Sequence, residues 1–198
     1  SVLHGLAIRK PLYDENARLG WMVVLATIPA VIFGVFFKSE IALYFSSPLA
    51  SCYFLMLTGI LLLVGEYVAV AAKNYPSRTD AVIIGCAQSL ALFPGLSRSG
   101  TTIAAGMVCG LSRENAARFS FLMSIPVMCG ASLIASLDLF GDAELFSRLA
   151  LPLSLGFMSA AITGYFVIKW FMAFLGRRCL HWFAAYCLAL GLLGTYYF

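Results

Sequence analysis

The stretch Ala81–Leu111, AVIIGCAQSLALFPGLSRSGTTIAAGMVCGL, decides the fold. Two apolar runs, Ala81–Phe93 and Thr101–Leu111, flank the polar turn Pro94-Gly95-Leu96-Ser97-Arg98-Ser99-Gly100. A hydrocarbon core about 30 Å thick takes around 20 helical residues to cross, and neither run is that long. The pair therefore reads as a re-entrant helix–loop–helix over 81–111, with Pro and Gly breaking the helix. Such a polar turn is tolerated at membrane depth only where it faces protein or a water-filled cavity. One broken spanning helix is the alternative reading of the same hydropathy.

Outward from this stretch, five blocks have the length and apolarity of membrane spans: Trp21–Phe37, Pro48–Ala72, Phe119–Leu137, Leu151–Phe171 and Trp182–Phe198. The composition agrees, since 62% of the 198 residues are hydrophobic and 11% charged, against roughly 25% charged in soluble domains. So few charges cannot coat a soluble domain of this size, and 14% aromatic residues exclude disorder. Pro29 and Pro126 fall inside two blocks and are expected to kink them. The six cysteines form no Cys-x-x-Cys pair and sit mostly in apolar stretches, where a thiol behaves as a small hydrophobe. The chain is thus predicted to be a single all-α integral membrane domain over 1–198. Ser1 rather than Met opens it, and a preceding segment is expected.

Charge bias decides between re-entry and crossing, because cytoplasmic loops collect Lys and Arg. With the central pair re-entrant, Arg9, Lys10, Arg18, Lys73, Arg78, Arg113, Arg118, Arg177 and Arg178 share one side, and Lys38 and Arg148 stand on the other. A single crossing leaves six against five, so re-entry is favoured. Asp138, Asp142, Glu144 and Phe198 then fall outside. A net charge of +4 spread between apolar blocks gives no basic tract for nucleic acid.

Arg98 is the basic residue set deepest in an apolar region, where a charge costs about 2.5 kcal/mol or more without a partner or purpose. Ser97, Ser99, Thr101 and Thr102 put hydroxyls around it, and Gly95 and Gly100 let backbone N–H groups approach a ligand. A helix starting near Thr101 would aim its positive end at the same place. A guanidinium fork, hydroxyls and a helix N-terminus together make an anion site, and phosphate fits it best. The bland alternative pairs Arg98 with a carboxylate or a neighbouring helix's carbonyls, while the serines merely cap the helix. Glu66, the one intramembrane acid, is expected to snorkel to the basic interface. Gln88 either bonds the phosphate or ties two helices together, the latter being the more ordinary use of such an amide. His4 and His181 read as interfacial, and no carboxylate or histidine stands out as a general base. Arg113–Arg118 reads as a solvated turn between the re-entrant pair and the next span.

The run Gln88-Ser89-Leu90-Ala91-Leu92-Phe93-Pro94-Gly95-Leu96-Ser97-Arg98-Ser99-Gly100-Thr101-Thr102-Ile103 resembles a motif of the bacterial undecaprenyl-diphosphate phosphatases, also called bacitracin-resistance proteins. Gly106, Leu111-Ser112-Arg113 and Phe119-Ser120-Phe121-Leu122 with Pro126 are similar to that family too. The resemblance implies a membrane enzyme that removes the terminal phosphate of undecaprenyl diphosphate, recycling the carrier lipid of cell-wall synthesis and conferring bacitracin resistance. It implies an inverted-repeat fold of which this chain is the second half, in the bacterial cytoplasmic (inner) membrane, with a pocket open to the outer side. Carried over, Arg98 binds and stabilises the diphosphate, Ser97 and Thr102 are the catalytic hydroxyls, and Ser99 and the glycines shape the loop; with the reading of the residues themselves, Ser99, Gly95, Gly100, Thr101 and Gln88 make up the expected substrate-binding set. Magnesium or calcium is implied, with no ligand set identifiable here. The partners implied are a polyprenyl diphosphate lipid, the membrane and, for assembly, a second copy of the chain.

The family's first repeat, with its glutamate-rich motif and Ser-Ser-Thr-Gly-His turn, does not occur in this sequence. A catalytically incomplete fragment is accordingly one alternative. Half of a transporter or lipid translocase is another, because broken helices aimed at an anionic substrate serve there as well.

Overall fold

The computed structural model describes residues 15–141, 143–176 and 178–198, and all its regular structure there is helical. The helices are α1 (Glu15–Phe36), α2 (Lys38–Phe45), α3 (Pro48–Val68), α4 (Arg78–Leu90), α5 (Arg98–Val108), α6 (Arg113–Phe140), α7 (Ala143–Leu175) and α8 (His181–Tyr197). Four segments are long and apolar enough to cross a membrane: Ala17–Phe36, Pro48–Val68, Arg113–Leu137 and Phe146–Leu175. The fifth expected span is α8, whose 17 residues reach about 26 Å, the short end of a crossing. The chain is an all-α, multi-pass membrane protein.

Helices α4 and α5 have 13 and 11 residues, about 20 and 16 Å, and the chain returns to its starting end between them. Directly before the pair, the Lys73 N–H donates to the Gly110 carbonyl directly after it, at 2.9 Å, and Lys73 bridges Leu111. Packing gives the directions. Gly85 of α4 lies against Ala26 of α1 and Leu92 against Gly34, so α4 runs parallel to α1. Ser97 meets Thr58 and Ala104 meets Gly65, so α5 runs parallel to α3. One helix follows the outgoing direction, the other the returning one, which is the hairpin the charge bias favours. Gly85 is required for this packing, since a Cβ there would collide with the Ala26 carbonyl.

One end of the bundle gathers the cations. Lys73 Nζ donates to both carboxylate oxygens of Asp80 at 3.0 and 2.9 Å, and Asp80 closes a capping box with Ser77. Burial alone would raise the Asp80 carboxyl, but the Lys73 ammonium and the Ser77 N–H and hydroxyl hold it below the usual carboxylate range. Arg113 Nε donates to both oxygens of Glu66 at 2.8 Å, and the Leu180 N–H donates to Glu66 Oε1 at 2.7 Å. Glu66 therefore does not snorkel, as its side chain is 1% exposed and ties the ends of α3, α6 and α8 together. The carboxylate is held by a guanidinium and an unpaired helix-terminal N–H, which outcompete the water it would otherwise seek. Lys169 of α7, over the Tyr165 ring, lies toward this same end, only six residues before Leu175.

Other boundaries shift for local reasons. Helix α3 ends at Val68 rather than Ala72, and Ala71 adopts φ 48° as the chain turns toward Lys73. Arg113–Arg118 is the opening of α6 and not a solvated turn, because Ser112 Oγ accepts the Asn115 N–H at 3.2 Å and caps it. Helix α7 extends both ways beyond Leu151–Phe171, and α2 occupies a connection in which no helix was expected. Both α1 and α6 continue through Pro29 and Pro126. Arg9, Lys10, His4, Asp142 and Arg177 lie outside the described residues, as do the side chains of Asp138 and Glu144.

Candidate functional site

The central turn sits halfway along α3. Thr58, midway between Pro48 and Val68, accepts the Ser97 N–H on its Oγ1 at 3.0 Å. From either end of α3 this point is about 15 Å deep. Gly95 takes φ +90°, and a Cβ there would strike the Ser51 carbonyl of α3, so this position requires glycine twice over.

Ser97 is the N-cap of α5, its Oγ accepting the Gly100 N–H at 3.2 Å. The helix thus begins at Arg98, three residues earlier than expected, because this cap satisfies an otherwise unpaired donor. Arg98, Ser99 and Gly100 form its first turn rather than part of the loop. Ser97 and Ser99 hydroxyls lie 3.5 Å apart. Arg98 is half-buried and has no carboxylate partner among the described residues. Among the described residues its Nη1 reaches the Ser120 carbonyl of α6 alone, at 3.4 Å, a marginal hydrogen bond. The bland reading thus holds in part, as a serine cap and a carbonyl contact are both present. Neither neutralises the guanidinium charge.

Thr102 is 1% exposed, and its hydroxyl donates to the Arg98 carbonyl at 2.8 Å and lies 2.6 Å from Ser120 Oγ. It supports the backbone that carries Arg98. Gln88, 1% exposed, makes no side-chain hydrogen bond, so it does not tie helices together. Thr101 Oγ1 is likewise buried without a partner, and two such groups beside one turn require a reason.

Ser97, Ser99, Gly100 and Thr58 form one wall of a cavity of about 270 Å³ whose other walls are Leu62, Ile103, Phe121, Phe171, Leu180 and Phe183 with their neighbours. It extends from the turn toward the cationic end. A second, apolar cavity of about 450 Å³ reaches Gly95 and runs the other way, past Ser51, Leu193 and Phe198. Polar groups that suit a phosphate thus stand next to walls that suit a hydrocarbon chain. Sequence reasoning missed Thr58 and Ser120, which lie 39 and 18 residues from the groups they bond.

Cation ligands are a separate matter. Glu66, Cys179 and His181 offer ligand atoms within 4.8 Å of one another. A thiol and an imidazole are poor ligands for magnesium or calcium. Glu66 is moreover saturated by Arg113 and Leu180, and no carboxylate lines the cavity at Ser97. The described residues do not fit a magnesium or calcium site. His181 is exposed, with its ring edge-on to Tyr67, as an interfacial histidine should be.

The model of one known protein family, Bacitracin resistance protein BacA, matches residues 2–193. The chain belongs to this family. Among its BacA relatives, an undecaprenyl-diphosphatase of Corynebacterium glutamicum strain R is 40% identical over 178 residues, covering 89% of this chain and 61% of the relative. One from Methanobrevibacter smithii is 40% identical over 184 residues, with 91% and 65% coverage. Another, from Methanothermobacter thermautotrophicus, is 42% identical over 177 residues and covers 87% and 96%. The chain spans about three fifths of the corynebacterial relative and nearly all of the methanothermobacterial one.

Proposed function

We propose that this chain binds the diphosphate of undecaprenyl diphosphate at the N-terminus of α5 and serves its hydrolysis to undecaprenyl phosphate and phosphate. The observation that carries the reading is the cavity in which Ser97, Ser99 and Gly100 meet an apolar wall at mid-depth; Arg98 belongs to the same first turn of α5 but, like Gln88, Thr101 and Thr102, does not line that cavity. The BacA relatives being undecaprenyl-diphosphatases supports it. Water adds to the terminal phosphorus while the bridging P–O bond breaks, and the monophosphate lipid leaves with the bridging oxygen. Charge grows on the phosphate oxygens, and Arg98 with the first-turn N–H groups offsets it. Ser97 and Ser99 orient the phosphate by hydrogen bonding, while Thr102 keeps the Arg98 backbone in place. Gly95, Gly100 and Thr101 shape the turn, and the unpartnered Gln88 amide is a further ligand for the headgroup. Among the described residues lining the cavity none is a carboxylate or histidine, so the proton acceptor for water lies elsewhere.

The reading sets the protein in the bacterial cytoplasmic membrane, with the cationic end inside. An outward opening would then run through the cavity beside Gly95. Phosphate release from a polyprenyl diphosphate by membranes carrying the chain tests the proposal, with Arg98→Lys beside it. An ammonium cannot reproduce bidentate contact. The loss of charge-assisted hydrogen bonds worth about 1.5–3 kcal/mol lowers turnover roughly ten- to hundredfold. Unchanged turnover in Arg98→Lys overturns the assignment. A lipid translocase half is the second reading, favoured by the two cavities meeting the turn from opposite ends. Lipid flux in liposomes without phosphate release would select it.

A further inference from the structure

Apart from the Ser97 cavity, α1 and α6 run side by side from the cationic end, with a slot of about 430 Å³ between them. On α6 its wall is Arg118, Leu122, Ile125 and Pro126, at the i, i+4, i+7 and i+8 spacing of one helix face. On α1 it is Leu19, Gly20, Val23 and Val24. From Arg118 to Pro126 the slot descends about 12 Å into the membrane. Every group below its mouth is apolar, and the mouth carries a cation.

Arg118 is exposed and has no carboxylate partner among the described residues. Arg18 is exposed one residue before the slot, beside the small hollow lined by Glu15 and Tyr75. Glu15 accepts the Tyr75 hydroxyl at 2.8 Å and keeps its own negative charge, leaving two cations and one anion around this end of the slot. Arg118 lies close enough to act electrostatically on that hydroxyl. The mouth therefore presents the Arg118 guanidinium above an apolar trough, with Arg18 one residue outside the slot in the hollow that also holds the Glu15 carboxylate.

We propose that this slot holds an anionic phospholipid, its headgroup phosphate against Arg118 and Arg18 and one acyl chain along Leu122, Ile125 and Val23. Charge complementarity selects this occupant: a zwitterionic lipid brings a choline or ammonium against the same two arginines. The site is separate from the turn that carries the proposed hydrolysis and stands whether or not that proposal does.

Native mass spectrometry of the full chain, exchanged into mixed phosphatidylglycerol and phosphatidylcholine micelles, tests it. The expected result is retained phosphatidylglycerol in preference to phosphatidylcholine. Arg118→Gln lowers the phosphatidylglycerol affinity about fivefold, the effect of one surface cation on an anionic lipid. The phosphatidylcholine affinity stays unchanged. Leu122→Trp, which fills the trough, lowers retention of both lipids. Arg118→Gln lies on an exposed helix face, so it keeps the test decisive if the tryptophan variant fails to fold. Equal retention of the two lipids, or an unaltered preference in Arg118→Gln, overturns the proposal. Protein-to-protein crosslinking from Ile125→Cys in place of lipid retention overturns it as well, since the slot would then be covered by polypeptide.

Discussion

Thr58→Val removes a hydroxyl that makes two hydrogen bonds, of which one holds the central turn. Thr58 is fully buried, its Oγ1 accepts the Ser97 N–H at 3.0 Å and donates to the Phe54 carbonyl at 3.2 Å, and its methyl packs against Gly100. Valine keeps the shape and the methyl and removes the acceptor. Phe54 retains its helical partner, so the loss falls on Ser97. A buried donor left unpaired costs about 1–3 kcal/mol, and since Ser97 is only half-buried the low end applies, about 1–1.4 kcal/mol. Ser97 also caps α5 through Gly100, so a turn that relaxes to rehydrate this N–H loosens the cap with it. If headgroup binding uses the intact turn, that energy appears as roughly five- to tenfold weaker binding. The assays are thermal unfolding in detergent and titration with a polyprenyl diphosphate. Thr58→Ser, which keeps the hydroxyl, should bind like the parent chain. A Thr58→Val protein with the parent's affinity, or a Thr58→Ser protein as weak as Thr58→Val, would refute the claim that this bond sets the turn.

The same substitution at two glycines should act with opposite signs. Gly95→Ala forces a left-handed backbone costing about 1–2 kcal/mol, plus a clash with Ser51, and lowers the unfolding midpoint. Gly156→Ala in α7, with nothing within 4 Å, leaves the midpoint level or raises it. Glu66→Gln keeps the acceptor for Leu180 and removes the ion pair with Arg113, which is 39% exposed. A loss of about 1–2 kcal/mol is expected, partly recovered in Glu66→Gln with Arg113→Met, and a double-mutant cycle of unfolding midpoints checks it. Asp80 has a depressed folded-state pKa, so its contribution is complete above the unfolded value of 3.8 and disappears as pH falls through the lower folded value. Unfolding midpoints measured downward from pH 5 should decline less steeply in Asp80→Asn than in the parent chain.

The spans were legible because bilayer thickness imposes a length that composition reveals directly. The helix–turn–helix was legible because proline, glycine and short apolar runs coincide between Ala81 and Leu111, and the Lys and Arg bias favours a return to the same end. Starts of helices were harder. Ser97 and Ser112 were visible as hydroxyl residues, yet their role as caps depends on which later N–H they meet, and so α5 and α6 begin earlier than hydropathy alone suggests. The side-chain partners were not legible at all. Glu66 finds Arg113 and Leu180 at separations of 47 and 114 residues, and Thr58 finds Ser97 across 39, contacts produced by helix packing with no local pattern. Gln88 was visible as a polar residue in an apolar helix, but its burial without a hydrogen-bond partner emerges only in three dimensions.

The central claim is that Arg98 and the α5 N-terminus recognise a lipid diphosphate. Equilibrium binding of undecaprenyl diphosphate to the purified chain, compared with undecaprenol and repeated with Arg98→Ala, tests it without requiring turnover. Binding should prefer the diphosphate over the alcohol and lose that preference with Arg98. Equal affinity for both lipids, or a diphosphate preference that survives Arg98→Ala, would contradict it.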